Sequence, residues 1–305
     1  MENDFLWQCA FTEEGGEKAS REWLVPGCED DRDATRRVFH SRSFCIGKSN
    51  CPKIGPIVRE VRGQGVLDSI IGGEVWEASI LLCAYLRLHP TIVPLSSNVL
   101  EIGAGVGLPS LYLLEQRRGY PDAGEICVSD NDADLLESLS YHLSSLGKPS
   151  EGGVRISVEQ LDWSRPETGP DPRRFHAAIG SALCYSPDHV CLLLKTLGHL
   201  MQGGVERIVV IQIADRPGFK RLIERLPSLG SSITWIVEEL SAEVYNEGLS
   251  VREELLRSDA ASNKSIDDKF ITLKKFSFPP NDGEGRVLLT TPRADFTILT
   301  LTHQP

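Results

Sequence analysis

From about residue 57 onward, short apolar runs alternate with longer amphipathic stretches. Ala78, Leu81, Leu82, Tyr85 and Leu86 share a face at helical spacing, which predicts a helix from about Val75 to Leu88, stopped by Pro90. Asn98 to Ile102 reads as a strand running into glycines, followed by a helix over Leu108 to Arg117. Ile126 to Val128 is a second strand, with a helix over Ala133 to Leu146. Further strands are predicted at Val154 to Gln160, Ala177 to Ala182 and Ile208 to Ile213, then a helix from Phe219 to Leu226 that Pro227 ends. Ile233 to Glu238 and Phe296 to Thr302 are the last two strand candidates. Strands alternating with helices at this spacing predict βαβ units, a mostly parallel sheet and right-handed crossovers.

Two regions lack this rhythm. Residues 1 to about 55 have few periodic apolar positions and a charge cluster at Glu29 to Asp33, so 1–56 reads as an N-terminal extension and 57–305 as one α/β domain. The polar stretch between the last two strands is too long for an ordinary loop and is expected to hold small elements or a lid, with Asn263 to Asp268 its most loop-like part.

The chemistry concentrates where the first parallel strand ends, at Glu101-Ile102-Gly103-Ala104-Gly105-Val106-Gly107. Glycines without a Cβ let the backbone approach a ligand closely, outside the carboxyl end of a strand. A dinucleotide fingerprint needs a third glycine or alanine at 108, where this chain has Leu108, and no G-K-[ST] follows, which excludes a P-loop. Glu101 would repel a pyrophosphate but favour a cationic amino group, so S-adenosylmethionine is expected over NAD. Asp130 ends the next strand 27 residues beyond Gly103, where an acid can take hydrogen bonds from ribose hydroxyls.

Composition adds limits. A net charge of −11 argues against a partner held mainly through nucleic-acid phosphates and suits a basic protein partner better. No apolar run is long enough for a bilayer span and no basic n-region precedes one, so the expectation is a cytosolic or nuclear chain without membrane association. Eight cysteines without any C-x-x-C pair predict reduced thiols and no metal site.

Five segments in order resemble the seven-strand class I methyltransferases of the family-16 type, which include protein lysine methyltransferases. They are Gly72 to Ala78, Val99 to Pro109, Val128 to Asn131, Leu161 to Trp163, and Ile179 to Tyr185, and the resemblance spans about residues 57 to 305. It implies a doubly wound, mostly parallel seven-stranded sheet with a C-terminal antiparallel hairpin, S-adenosylmethionine as cofactor and a protein substrate. It also implies roles: Trp76 lining the cofactor pocket, Gly103, Ala104 and Gly105 around the methionine moiety with Gly107 completing the loop, Asp130 on the ribose, Asp162 and Trp163 beside the adenine, Ser181 against the cofactor.

The family's acid-x-x-aromatic motif, whose acid helps to hold the target amine, reads Ala182-Leu183-Cys184-Tyr185 here. Tyr185 keeps the aromatic wall and is the candidate catalytic residue, but the carboxylate is missing. A lysine amine, with an ordinary pKa near 10.4, must be neutral to attack a methyl group. Asp188 and His189 lie close by, although Ser186-Pro187-Asp188 also reads as an ordinary helix start. The expected activity is methyl transfer to a protein side chain, lysine by resemblance. The loss of the acid keeps open a non-catalytic cofactor-binding interaction protein, and a small-molecule methyltransferase is the third reading.

Overall fold

The computed structural model describes residues 38–45, 57–63, 72–145, 154–265 and 292–304. Its elements are strand β1 (Val38–Cys45), β2 (Ile57–Gly63), helix α1 (Glu77–Leu88), β3 (Val99–Glu101), α2 (Leu108–Gln116), β4 (Ile126–Asp130), α3 (Ala133–Ser145), β5 (Ile156–Gln160), β6 (Ala177–Ser181), α4 (Val190–Gln202), β7 (Arg207–Ile213), α5 (Pro217–Arg225), β8 (Ile233–Glu239), α6 (Ala242–Ser265) and β9 (Phe296–His303).

Seven strands form one sheet in the order β5-β4-β3-β6-β7-β9-β8. Pairings from β5 through β7 are parallel, whereas β9 runs antiparallel between β7 and β8, with Val210 opposite Leu299 and Ile236 opposite Thr300. The last strand is thus inserted inside the edge, and β8 is the outermost strand. β1 and β2 form a separate antiparallel pair that joins residues on either side of the expected boundary at 56. Most of the expected N-terminal extension lies outside the described residues.

The central strands are apolar on both faces, as a parallel sheet covered by helices on each side requires. Val99, Ile126, Val128, Ile179, Val209 and Ile211 face one side, where α1, α2, α3 and α6 pack. Leu100, Cys127, Ala178, Ile208 and Val210 alternate onto the other, beneath α4 and α5. The period of two sends each neighbour to the opposite layer.

The stretch between β8 and β9 differs from expectation, since most of its described part is the single helix α6, which runs through Asn263 to Ser265. Residues 266–291 lie outside the described residues. Val244, Gly248, Val251 and Leu255 are buried at spacings of four, three and four, the stripe of a docked helix. α6 lies on α1, which explains why α1 is buried nearly all round instead of on the single face its periodicity predicts. Arg87 of α1 fastens the contact: its guanidinium donates to Glu247 at 2.7 Å and to Glu254 at 3.1 Å, and its Nε donates to the Tyr112 hydroxyl on α2 at 2.6 Å.

Candidate active site

The strand order reverses between β3 and β6, because the chain from β3 winds outward to β4 and β5, then returns to start again at β6. Such a switch point opens a crevice at the carboxyl ends of the strands. A cleft of about 770 Å³ lies there, within the size range of small-molecule sites.

The loop after β3 forms its floor. Gly103, Ala104 and Gly105 line the cleft, and Ala104 is tied to the neighbouring strand by its N–H bond to the Ser129 carbonyl at 2.9 Å. Gly105 has a φ of +56°, and a Cβ there would stand 2.6 Å from the Gly72 carbonyl oxygen. Only glycine allows both that dihedral and that approach.

Asp130, at the end of β4, faces the same space and organises its rim. One carboxylate oxygen accepts the Gly105 N–H at 2.8 Å, while the other accepts those of Asn131 at 2.8 Å and Asp132 at 3.0 Å. Three of roughly four lone-pair positions are therefore taken, leaving about one for a ligand hydroxyl. Burial pushes the Asp130 carboxyl up, and those backbone donors oppose the shift. Asp132, which the sequence reading passed over, also lines the cleft. One of its oxygens caps α3 through Asp134 and Leu135, and the other takes no hydrogen bond among the described residues.

Trp163 reaches in from beyond β5 and packs on the loop, 3.3 Å from where a Gly103 Cβ would be. Ser181 stands at the end of β6, followed by Ala182 with a φ of +54°, the one non-glycine residue in the left-handed region among those described. Trp76, before α1, is 42% exposed on the cleft, and the Arg216 guanidinium lies 5.5 Å from its ring centroid. Tyr185 is 39% exposed there, with the His189 ring edge-on at 5.0 Å. Burial and the charge of Asp130 both push the Tyr185 hydroxyl up.

Three expected site residues stand elsewhere. The Glu101 side chain is turned behind the loop, 1% exposed, and its carboxylate accepts the Ser110 N–H of α2 at 2.9 Å. Burial pushes its carboxyl up to about 8, with the Asp130 charge adding to the shift and the Ser110 donor opposing it. It is thus largely protonated at neutral pH, and a cation in the cleft would favour its charged form. Gly107 is the N-cap of α2 with a φ of +71°, and a Cβ there would meet Leu139 at 2.8 Å, so it serves loop-to-helix packing. Asp162 is turned to its own backbone, accepting the Ser164 N–H at 2.8 Å and pairing with Arg165. That is the geometry of a turn cap.

Leu135 and Arg216 line the cleft without having been singled out in the sequence, and Gly72, which opens the first family-like segment, lines it without having been assigned a site role. A glycine before the first helix was the available signal for Gly72, whereas Arg216 follows β7 and becomes part of the site only through sheet order. Ser186 accepts the Asp188 N–H at 3.3 Å and Pro187 opens a 3-10 turn over Pro187–His189, as the helix-start reading holds. His189 nevertheless turns into the cleft.

A sequence model of the family described as "Lysine methyltransferase" matches residues 62–223. Methyltransferase-like protein 22 of Mus musculus is 28% identical over 130 residues, covering 41% of this chain and 30% of that protein. Protein N-terminal and lysine N-methyltransferase EFM7 of Candida glabrata is 30% identical over 146 residues, covering 46% of this chain and 54% of the relative. Histone-arginine methyltransferase METTL23 of Rattus norvegicus is 43% identical over 170 residues, covering 53% of this chain and 68% of the relative. The match spans under a third and about half of the lengths of the first two.

Proposed function

The chain belongs to the lysine methyltransferase family, and on that premise we propose that it transfers a methyl group from S-adenosylmethionine to a protein side chain, a lysine amine being the first candidate acceptor. The observation that carries this reading is the floor of the cleft: a strand-to-helix glycine loop at the sheet's switch point, with Asp130 bonded to Gly105. The residues present fit such a ligand. Gly105 brings backbone close to it, Asp130 and Asp132 offer acceptors to ribose hydroxyls, the Trp163 indole supplies a flat apolar wall, and Glu101 behind the loop is drawn toward its charged form by a cation in the cleft.

When bound, the cofactor supplies a methyl group activated on a sulfonium. The chain's own contribution is to hold, orient and dry the reacting partners, which alone can account for much of a displacement's acceleration. With Asp130 at one end, the acceptor end falls toward β6 and β7, among Ser181, Tyr185, Trp76 and Arg216. The exposed faces of Tyr185 and Trp76 suit a cationic side chain, which an aromatic quadrupole attracts.

Isothermal titration with S-adenosylhomocysteine tests the cofactor half, and the expected result is saturable one-to-one binding. No heat of binding by the folded protein overturns it. Tritiated S-adenosylmethionine added to cell extract tests the acceptor half, the expected label appearing in protein. Cofactor binding without transfer to any protein would favour a non-catalytic role, the reading that the replacement of the family acid by Ala182 motivates.

A further inference from the structure

The acceptor end of the cleft lacks the carboxylate that would take a proton from the incoming amine. Ala182 occupies that position. The remaining polar groups there are few. Arg216 is a permanent cation and cannot accept a proton. The Ser181 and Tyr185 hydroxyls are poor bases, and the surroundings of Tyr185 hold its proton more firmly still. Glu74 lines the cleft but has a partner of its own.

His189 is different. Its half-buried side chain lines the cleft, and neither ring nitrogen has a hydrogen-bond partner among the described residues. The edge-on Tyr185 ring holds the imidazole in place at 5.0 Å. A structural histidine on a helix start would be expected to bond a backbone carbonyl or a neighbouring side chain, and this one bonds neither among the described residues. Asp188, next to it, is exposed and does not line the cleft.

We propose that His189 is the proton acceptor at the acceptor nitrogen, standing in for the missing carboxylate. This rests on the methyltransferase reading above. The acceptor ammonium gives its proton to a free imidazole nitrogen. The nitrogen lone pair then forms the N–C bond as the S–C bond breaks, and that electron pair returns to sulfur. His189 later releases the proton to solvent.

The test needs no identified acceptor. Sinefungin carries an amino group on carbon where S-adenosylmethionine carries its methyl on sulfur, so its ammonium stands in the place of the transferred methyl and offers its N–H donors toward the acceptor side. S-adenosylhomocysteine has nothing there. At pH 8, titration of both ligands into the wild-type chain and into His189→Ala should show sinefungin weakened about tenfold in the variant, the size of one hydrogen bond to a charged group. S-adenosylhomocysteine affinity should change less than twofold. His189→Asn, which keeps a short polar group, should recover part of the sinefungin affinity and guards against a folding defect in the alanine variant. Equal weakening of both ligands would assign His189 a structural role and overturn the proposal. So would unchanged sinefungin affinity, or the same selective loss in Glu74→Gln in place of His189→Ala. If the wild type binds neither ligand, the cofactor reading itself fails.

Discussion

Gly105 shows how much of the site rests on single backbone positions. Its left-handed φ would strain any side chain by about 1–2 kcal/mol, and a Cβ would also meet the Gly72 carbonyl oxygen at 2.6 Å. Gly105→Ala is expected to cost more than about 2 kcal/mol and to weaken S-adenosylhomocysteine binding at least tenfold, since the Asp130 contact moves with the loop. Gly119 is the control. Its φ is +77° with open space around it, so Gly119→Ala should cost about 1 kcal/mol and leave ligand affinity unchanged. Thermal melts and titration of both variants check the pair, and equal losses of affinity would show that dihedral strain alone explains the effect. Residue identities such as Gly103, Gly105 and Asp130 were legible in the sequence because a glycine turn after a strand has few physical uses. The direction in which Glu101 and Asp162 point was not legible, because a carboxylate takes whichever backbone donors the fold brings within reach.

Among elements, the decisive pairing is α6 on α1. Arg87 joins Glu247, Glu254 and Tyr112 at a junction of three helices, each acidic partner about a quarter exposed. Removing the guanidinium leaves two carboxylates without their cation in a partly shielded place, and solvent reduces the cost. Arg87→Ala should therefore destabilise by about 1–3 kcal/mol, with the loss of amide-exchange protection confined to Ala242–Leu255 while the central strands stay protected. Uniform loss across the sheet would show that α6 is not a separable unit. The strands β3 to β9 and the helices α1, α2, α3 and α5 were legible from periodicity, as each has a strong apolar run or a stop such as Pro90 or Pro227, whereas β1 and β2 were not, and of α4 only the start at Ser186-Pro187-Asp188 was. α6 was not, because its buried stripe includes Gly248 and is interleaved with Glu, Asn and Ser, and its apolar face acquires meaning only against α1.

At the scale of the whole molecule, buried Glu101 links global stability to pH. Its carboxyl is pushed up to about 8 in the folded chain, against about 4.3 when unfolded. Between those values the folded state binds more protons than the unfolded one, so stability falls as pH rises through the window. Glu101→Gln keeps an oxygen for the Ser110 N–H without a titrating proton. Melting curves from pH 5 to pH 8 should show the wild type losing up to a few kcal/mol relative to the variant, and coincident pH profiles would show that Glu101 is already ionised in the folded protein. The variant should also bind S-adenosylhomocysteine, with its cationic amino group, more weakly.

By itself the sequence determined the alternation of strands and helices, the two-sided apolar sheet, the glycine loop and the acid that follows it, since these depend on local periodicity and on residue types with narrow conformational uses. Only the tertiary structure decided that β9 is inserted beside β7, that α6 covers α1, that Glu101 lies behind the loop, and that Arg216 and His189 share a cleft with Trp76 and Tyr185. Those outcomes depend on which distant segments meet at the switch point, and no short-range pattern encodes that meeting.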